Sequence, residues 1–236
     1  MKVCLIGYGA MGHVIEEKLN NKGHVISGIV TLGGCEDIND IKDDFDVIID
    51  FSNPANLKML LAYVKQTKKP LVIATTGYSE EQKAMIKEAG KQSAIVYTAN
   101  FSLGITVMEE VLRQITPILE DSFDMEIVEK HHHRKLDAPS GTALMLANAL
   151  NAEGKYEIVE GRSGSHARGH EIGISAVRGG NIVGEHSVIY AGEDEVLEIK
   201  HEAFSRNIFA NGAIKAAEYI IGKPAGIYNM HQVLFE

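Results

Sequence analysis

Val3-Cys4-Leu5-Ile6 runs directly into Gly7-Tyr8-Gly9-Ala10-Met11-Gly12, and the apolar residues that follow, Val14, Ile15 and Leu19, fall at helical spacing before Gly23. A short unbroken apolar run is the mark of a strand covered on both faces. The same alternation continues, with strand-like segments at 24–30, 47–50, 71–74 and 94–97 and helical ones at 54–67 and 79–90. Strands and helices alternating at this spacing predict a parallel sheet with helices on both faces. The G-x-G-x-x-G turn sits between the first strand and first helix, where glycine permits a tight turn and close approach of backbone to a pyrophosphate. The pattern therefore points to a dinucleotide held at residues 7–12; a plain packing turn in an α/β domain is the other reading.

Past residue 102 the grammar changes. Ser102 is placed to cap a helix carrying Met108, Val111, Leu112, Ile115 and Leu119, with Pro117 expected to kink its last turns. A strand at 124–130 leads to a helix near 140–150 and a Gly/Ser/Arg/His-rich loop at 161–170. Three strands at 171–178, 182–190 and 195–202 follow without helices between them, which predicts an antiparallel or mixed sheet. A last helix over 207–221 stops at Gly222-Lys223-Pro224. The fold class is thus α/β, a doubly wound parallel sheet joined to a second α+β domain with a mixed sheet.

Two further turns, Ala74-Thr75-Thr76-Gly77 and Thr98-Ala99-Asn100-Phe101, lie at carboxyl ends of predicted strands, where open α/β sheets bind ligands. The second strand ends in Val30-Thr31-Leu32-Gly33-Gly34, with neither the acid that would bond a ribose 2′-hydroxyl nor an arginine for a 2′-phosphate. Glu36 and Asp37 come later, beyond the expected position, so the choice between NADH and NADPH stays open.

The formal charge of −9 excludes a general nucleic-acid binder, which needs basic surface to displace counterions. No apolar stretch of roughly 18 residues is present to span a membrane. The chain enters its first strand with no signal-peptide layout, so a soluble, cytoplasmic protein is expected. Cys4, inside an apolar run, is expected to be an inert buried thiol.

The segment Glu129-Lys130-His131-His132-His133-Arg134-Lys135-Leu136-Asp137-Ala138-Pro139-Ser140-Gly141-Thr142 holds the densest chemistry. Adjacent histidines on extended backbone point to alternate sides and cannot easily converge on one ion, and Arg134 and Lys135 repel a cation. No metal is therefore expected. Ser140 is a good N-cap, and with Ala143 at N3 no capping box closes the helix start, which leaves the Gly141 and Thr142 amides to take a carboxylate. With Lys135 as a point charge and a histidine able to deliver a proton at neutral pH, the constellation suits reduction of an anionic substrate. A solvated His-rich loop is the alternative.

His131-His132-x-x-Lys135-x-Asp137-Ala138-Pro139-Ser140-Gly141-Thr142-Ala143 resembles the signature of the dihydrodipicolinate reductases (4-hydroxy-tetrahydrodipicolinate reductases) of the diaminopimelate route to lysine. The resemblance covers the whole chain, through Gly7 to Gly12, Asp50-Phe51-Ser52, Thr75-Thr76-Gly77, Ala99-Asn100-Phe101-Ser102, Gly161-Arg162, Val183-Gly184-Glu185-His186, Ser205-Arg206 and Phe209-Ala210-x-Gly212-Ala213. It implies NAD(P)H-dependent reduction of a cyclic dicarboxylate, with His131 as catalytic acid/base and Lys135 protonating the substrate. His132, Gly141 and Thr142 are implied to hold the substrate carboxylates. Gly7, Tyr8, Gly9, Ala10, Met11 and Gly12, with Ala74, Thr75 and Thr76 and with Thr98, Ala99, Asn100 and Phe101, are implied to contact NADH or NADPH. A Rossmann-type domain of residues 1–102 and 206–236 is implied, with a substrate and oligomerisation domain of 103–205, in a homotetramer. His133 and Arg134 receive no role. A related amino-acid or semialdehyde dehydrogenase is argued against by Asp137 to Thr142, and a silent nucleotide-binding regulator by His131 and Lys135.

Overall fold

The computed structural model describes all 236 residues, in two compact units: Met1–Leu103 with Asn207–Glu236, and Gly104–Arg206.

In the first unit, β1 (Lys2–Ile6), β2 (Val25–Val30), β3 (Val47–Asp50), β4 (Leu71–Ile73), β5 (Ala94–Tyr97) and β11 (Gly226–Tyr228) form one six-stranded parallel sheet. Its order is β11-β5-β4-β3-β1-β2, so the chain reverses direction across the sheet between β1 and β3. In a doubly wound sheet that switch point opens a crevice outside the carboxyl ends of the strands. Both faces are covered, as the unbroken apolar run of β1 requires. Val3 and Leu5 pack with α1 (Ala10–Asn21), α6 (Asn207–Ile220) and α7 (Met230–Phe235). Cys4 and Ile6 pack on the other face with α2 (Leu57–Thr67) and α3 (Glu80–Gly90). Val3, Cys4, Leu5 and Ile6 are all fully buried, and burial pushes the Cys4 thiol up to about 12, where it is inert.

The second unit holds a five-stranded mixed sheet of order β10-β9-β6-β8-β7. Here β6 (Asp124–His131) pairs parallel to β8 (Glu171–Arg178) and antiparallel to β9 (Gly184–Ala191), β7 (Glu157–Glu160) runs parallel to β8, and β10 (Val196–Ala203) closes the other edge antiparallel to β9. Alternate residues of β6, Met125 and Ile127, are buried beneath Leu112 of α4 (Leu103–Leu119) and Ala143, Leu146, Ala147 and Leu150 of α5 (Gly141–Leu150). This period of two carries the buried face on to Glu129 and then to His131 at the strand end.

Candidate active site

On the second unit the chemistry gathers where β6 ends and α5 begins. Glu129 is fully buried, and four polar atoms meet its carboxylate. Arg178 Nη2 (2.7 Å) and the Ser140 amide (3.0 Å) donate to Oε1; Arg178 Nη1 (2.8 Å) donates to Oε2, which also pairs with His131 Nδ1 (2.5 Å). The parallel register of β6 and β8 places Arg178 opposite His131, on the face that Glu129 shares. Burial alone would raise the Glu129 carboxyl; the Arg178 guanidinium, then His131 and the Ser140 amide, reverse this and hold it below the ordinary value.

Ser140 caps α5: its Oγ accepts from the Ala143 amide at 3.1 Å and meets His186 Nε2 at 3.0 Å. His186 also lies edge-on to His131, with ring centroids 5.2 Å apart. Burial, then the charge of His131, brings His186 down to about 4, so this ring is neutral at physiological pH. Gly141 stands at the first helical position of α5, directly after the Ser140 cap. A Cβ built on Gly141 meets nothing within 4 Å, so the mouth of α5 is open at that point.

The three adjacent histidines diverge. His131 Nδ1 turns inward to Glu129, His133 Nδ1 meets the Gly180 carbonyl at 2.9 Å, and His132 Nδ1 is buried without a hydrogen-bond partner. Burial, then Arg134 and Arg206, lowers the His132 pKa. Lys135 Nζ is held by Asp137 Oδ1 and Oδ2, both at 2.8 Å. His133 and Arg134, left without a role from sequence, tie the end of β6 to the turn before β9: Arg134 Nη1 donates to Asn181 Oδ1 at 3.0 Å.

On the first unit, the β1–α1 turn lies at the switch point. Gly7 has φ +90°, and a Cβ there would overlap the Phe51 carbonyl, so only glycine allows β1 and β3 to close as they do. Gly9 is the N-cap of α1 and brings no capping side chain, so the first amides of α1, at Ala10, Met11 and Gly12, have no side-chain cap. Gly7, Tyr8 and Gly9 line a cleft of about 310 Å³ with Thr31, Leu32, Phe51, Ser52 and Asn53. This glycine-walled cleft at a helix start fits a dinucleotide.

Not every expected cofactor residue faces that cleft. Met11 packs against the core and Gly12 is buried. Thr75 is buried, and its Oγ1 accepts from the Ser52 amide at 2.8 Å, so its side chain ties the loops after β3 and β4 together. Asn100 Oδ1 accepts from the Ser102 amide at 2.7 Å, and Phe101 is buried against Phe51 and the backbone of α6. Thr98 Oγ1 bridges within its own loop to Asn100, while Ala10, Thr76 and Ala99 are exposed and Ala74 is half-buried. One expectation needs correcting: Glu36, placed by sequence beyond the ribose position, lines the cleft, because Thr31–Cys35 and Gly34–Thr31 backbone bonds fold residues 31–36 back on themselves. Asp37 instead caps a short helical turn through the Asn39 amide.

Sequence reasoning also missed Asp50 and the Glu129–Arg178 pair as functional elements. Asp50 is buried and raised by that burial, against the opposing bonds from Ser52, Thr75 and Tyr78; Ser52 Oγ donates to it at 2.5 Å and Tyr78 at 3.2 Å. Glu129 could have been found, since a carboxylate two residues before a histidine on one strand shares its face. Arg178 could not, because it comes from a strand 49 residues away.

Comparison with known proteins shows the family. Residues 1–101 match the N-terminal family profile of dihydrodipicolinate reductase, and residues 104–234 its C-terminal profile. A protein of Exiguobacterium sp. AT1b, named 4-hydroxy-tetrahydrodipicolinate reductase, is 44% identical over 241 residues, covering 100% of this chain and 96% of its own. A namesake from Clostridium tetani is also 44% identical, over 99% of this chain and 97% of its own. Among solved structures, the dipicolinate-bound dihydrodipicolinate reductase of Paenisporosarcina sp. TG-14 has a TM-score of 0.79 at 20% identity, with 99% of each chain covered. A probable dehydrogenase of Thermotoga maritima reaches 0.63 at 12% identity, over 99% of this chain and 92% of its own. These structures share the fold; the 44% relatives and the paired profiles carry more, and by them this chain belongs to the dihydrodipicolinate reductase family of oxidoreductases.

Proposed function

We propose that this chain uses NADH or NADPH to reduce 4-hydroxy-tetrahydrodipicolinate to tetrahydrodipicolinate in the diaminopimelate route to lysine. The observation that supports it most directly is the second unit's grouping of a carboxylate-anchored histidine, a lysine and an open helix start within one β6–α5 connection. In net terms the 4-hydroxyl leaves as water and the ring gains a hydride and a proton. Bound NAD(P)H supplies the hydride.

His131 is the proton donor: Glu129 holds its Nδ1, and the ring keeps only 12% of its side-chain surface exposed. Lys135 is the second catalytic residue. Its ammonium exchanges the exposed Asp137 for a substrate carboxylate, trading one ion pair for another. His132, with its unpartnered Nδ1, bonds a carboxylate, and the Gly141 and Thr142 amides bind the other at the positive end of the α5 dipole. The dipicolinate named with the Paenisporosarcina structure is a dicarboxylate of this kind. Residues 7–12, 74–76 and 98–101 hold the dinucleotide, some through their side chains' support of the loops.

We assign residues 1–102 and 206–236 to nucleotide binding and 103–205 to substrate binding and assembly of a cytoplasmic homotetramer. Val196 and Leu197 on edge strand β10 are 66% and 43% exposed, apolar surface suited to association. Light scattering showing anything other than four chains rejects the assembly.

The deciding assay follows loss of reduced-nicotinamide absorbance with purified chain, with and without the product of dihydrodipicolinate synthase. Oxidation that requires this product is expected; none rejects the function. His131→Gln is expected to lower kcat by roughly 10²–10⁴-fold with KM little changed. The reverse pattern would assign His131 to binding alone.

A further inference from the structure

We infer that Glu129 and Arg178 form a positioning clamp that fixes His131 as the Nδ1–H tautomer and so makes Nε2 the nitrogen that exchanges a proton with substrate. The inference rests on the reading of His131 as the proton donor. Four groups surround the Glu129 carboxylate: both Arg178 Nη atoms, the Ser140 amide and His131 Nδ1, between 2.5 and 3.0 Å. The first three can only donate, and they hold Glu129 ionised against the cost of its full burial. An ionised carboxylate can only accept, so the fourth contact requires hydrogen on Nδ1. The imidazole then has one remaining nitrogen, Nε2.

The structure keeps Nε2 accessible by a separate device. A Cβ built on Gly184 at the start of β9 would stand 3.2 Å from Nε2, closer than ordinary contact. Glycine there leaves the nitrogen's approach clear. Arg178 does a second thing: its Nη2 also donates to the Asp137 carbonyl at 2.5 Å, binding the clamp to the segment that carries Lys135. One buried carboxylate therefore sets the tautomer of the acid and braces α5 through Ser140.

The test is the ¹⁵N spectrum of His-labelled protein, which reports tautomers without any turnover. In spectra taken at a pH high enough for the ring to be neutral, wild type is expected to carry the His131 proton on Nδ1, assigned by loss of its signals in His131→Gln. A proton on Nε2 in wild type overturns the inference, whether or not any variant folds. Glu129→Gln replaces an oxygen with an amide that donates, so the Nδ1–H preference is expected to vanish and kcat to fall roughly 10²–10⁴-fold, as when a triad carboxylate is neutralised. KM is expected to move less than about threefold. Glu129→Asp, which keeps the charge, is expected to recover part of kcat. In a His131→Gln background, Glu129→Gln should cost little more, because it acts through His131. Additive losses would make Glu129 merely structural. If the synthase product is not reduced at all, the proposed function fails while the tautomer result still stands or falls by itself.

Discussion

Glu36 Oε1 accepts from the Gly33 amide at 3.0 Å, which sets its carboxylate on the wall of the nucleotide cleft. No lysine or arginine lines that wall. A 2′-phosphate placed there would face like charge with no compensating cation, whereas a ribose 2′-hydroxyl could donate to the carboxylate. NADH is therefore expected to bind more tightly than NADPH in fluorescence titrations. Glu36→Gln is expected to narrow the ratio of the two Kd values by roughly fivefold, the equivalent of about 1 kcal/mol for an exposed charge pair. An unchanged ratio removes Glu36 from cofactor choice. The acid was present in the sequence but two residues past the glycine pair; only the fold-back of 31–36 brings it into place, and no spacing rule contains that. The Glu129–Arg178 pair was hidden for a similar reason, since strand register is set by tertiary pairing and not by local pattern.

At the level of elements, helix stability and the proposed substrate contact can be tested separately at the start of α5. Ser140 stabilises it by capping, worth about 1 kcal/mol. Gly141 at the first helical position works the other way: alanine there would favour the helix by up to about 1 kcal/mol and meets no steric obstacle. Gly141→Ala is thus expected to raise Tm slightly while raising substrate KM, by roughly tenfold if one carboxylate hydrogen bond is displaced. A variant that is more stable with unchanged KM would show that the open mouth holds no substrate. The buried strands were legible: β3, β5 and β8 begin and end where their apolar patterns do, and the unbroken run of β1 correctly announced burial on both faces. Three elements were not, namely β7, β11 and α7. β7 and β11 lie at sheet edges with no fully buried residue, so neither carries the unbroken apolar run that marks β3 and β5. α7 has six residues, under two turns, although its Asn229–Gln232 capping box was a readable start signal.

Across the whole molecule, titration divides the two units. The histidines whose pKa burial lowers, His132, His186 and His201, all belong to the second unit, and His186 is the most shifted, to about 4. Between the ordinary histidine value near ~6.5 and these lowered values, the unfolded chain binds more protons than the folded one, so stability falls as pH falls. For buried His186 the full effect is on the order of 3 kcal/mol. The lowered carboxylates Glu129 and Glu185 contribute stability that is present above the ordinary carboxylate range and lost only below it, after the histidine window has passed. In the first unit Asp50 is shifted the opposite way: raised by burial, it binds a proton more readily when folded, and acidification through its raised pKa adds stability. Hydrogen exchange between pH 7.5 and 5 should therefore show protection falling at amides of β6 and β9 well before those of β1 and β3. His186→Gln is expected to remove most of that difference, because the glutamine amide can still bond Ser140 Oγ from the position of Nε2 but does not titrate. Equal losses in both units, or a difference that survives the substitution, would mean that these histidines do not set the acid response.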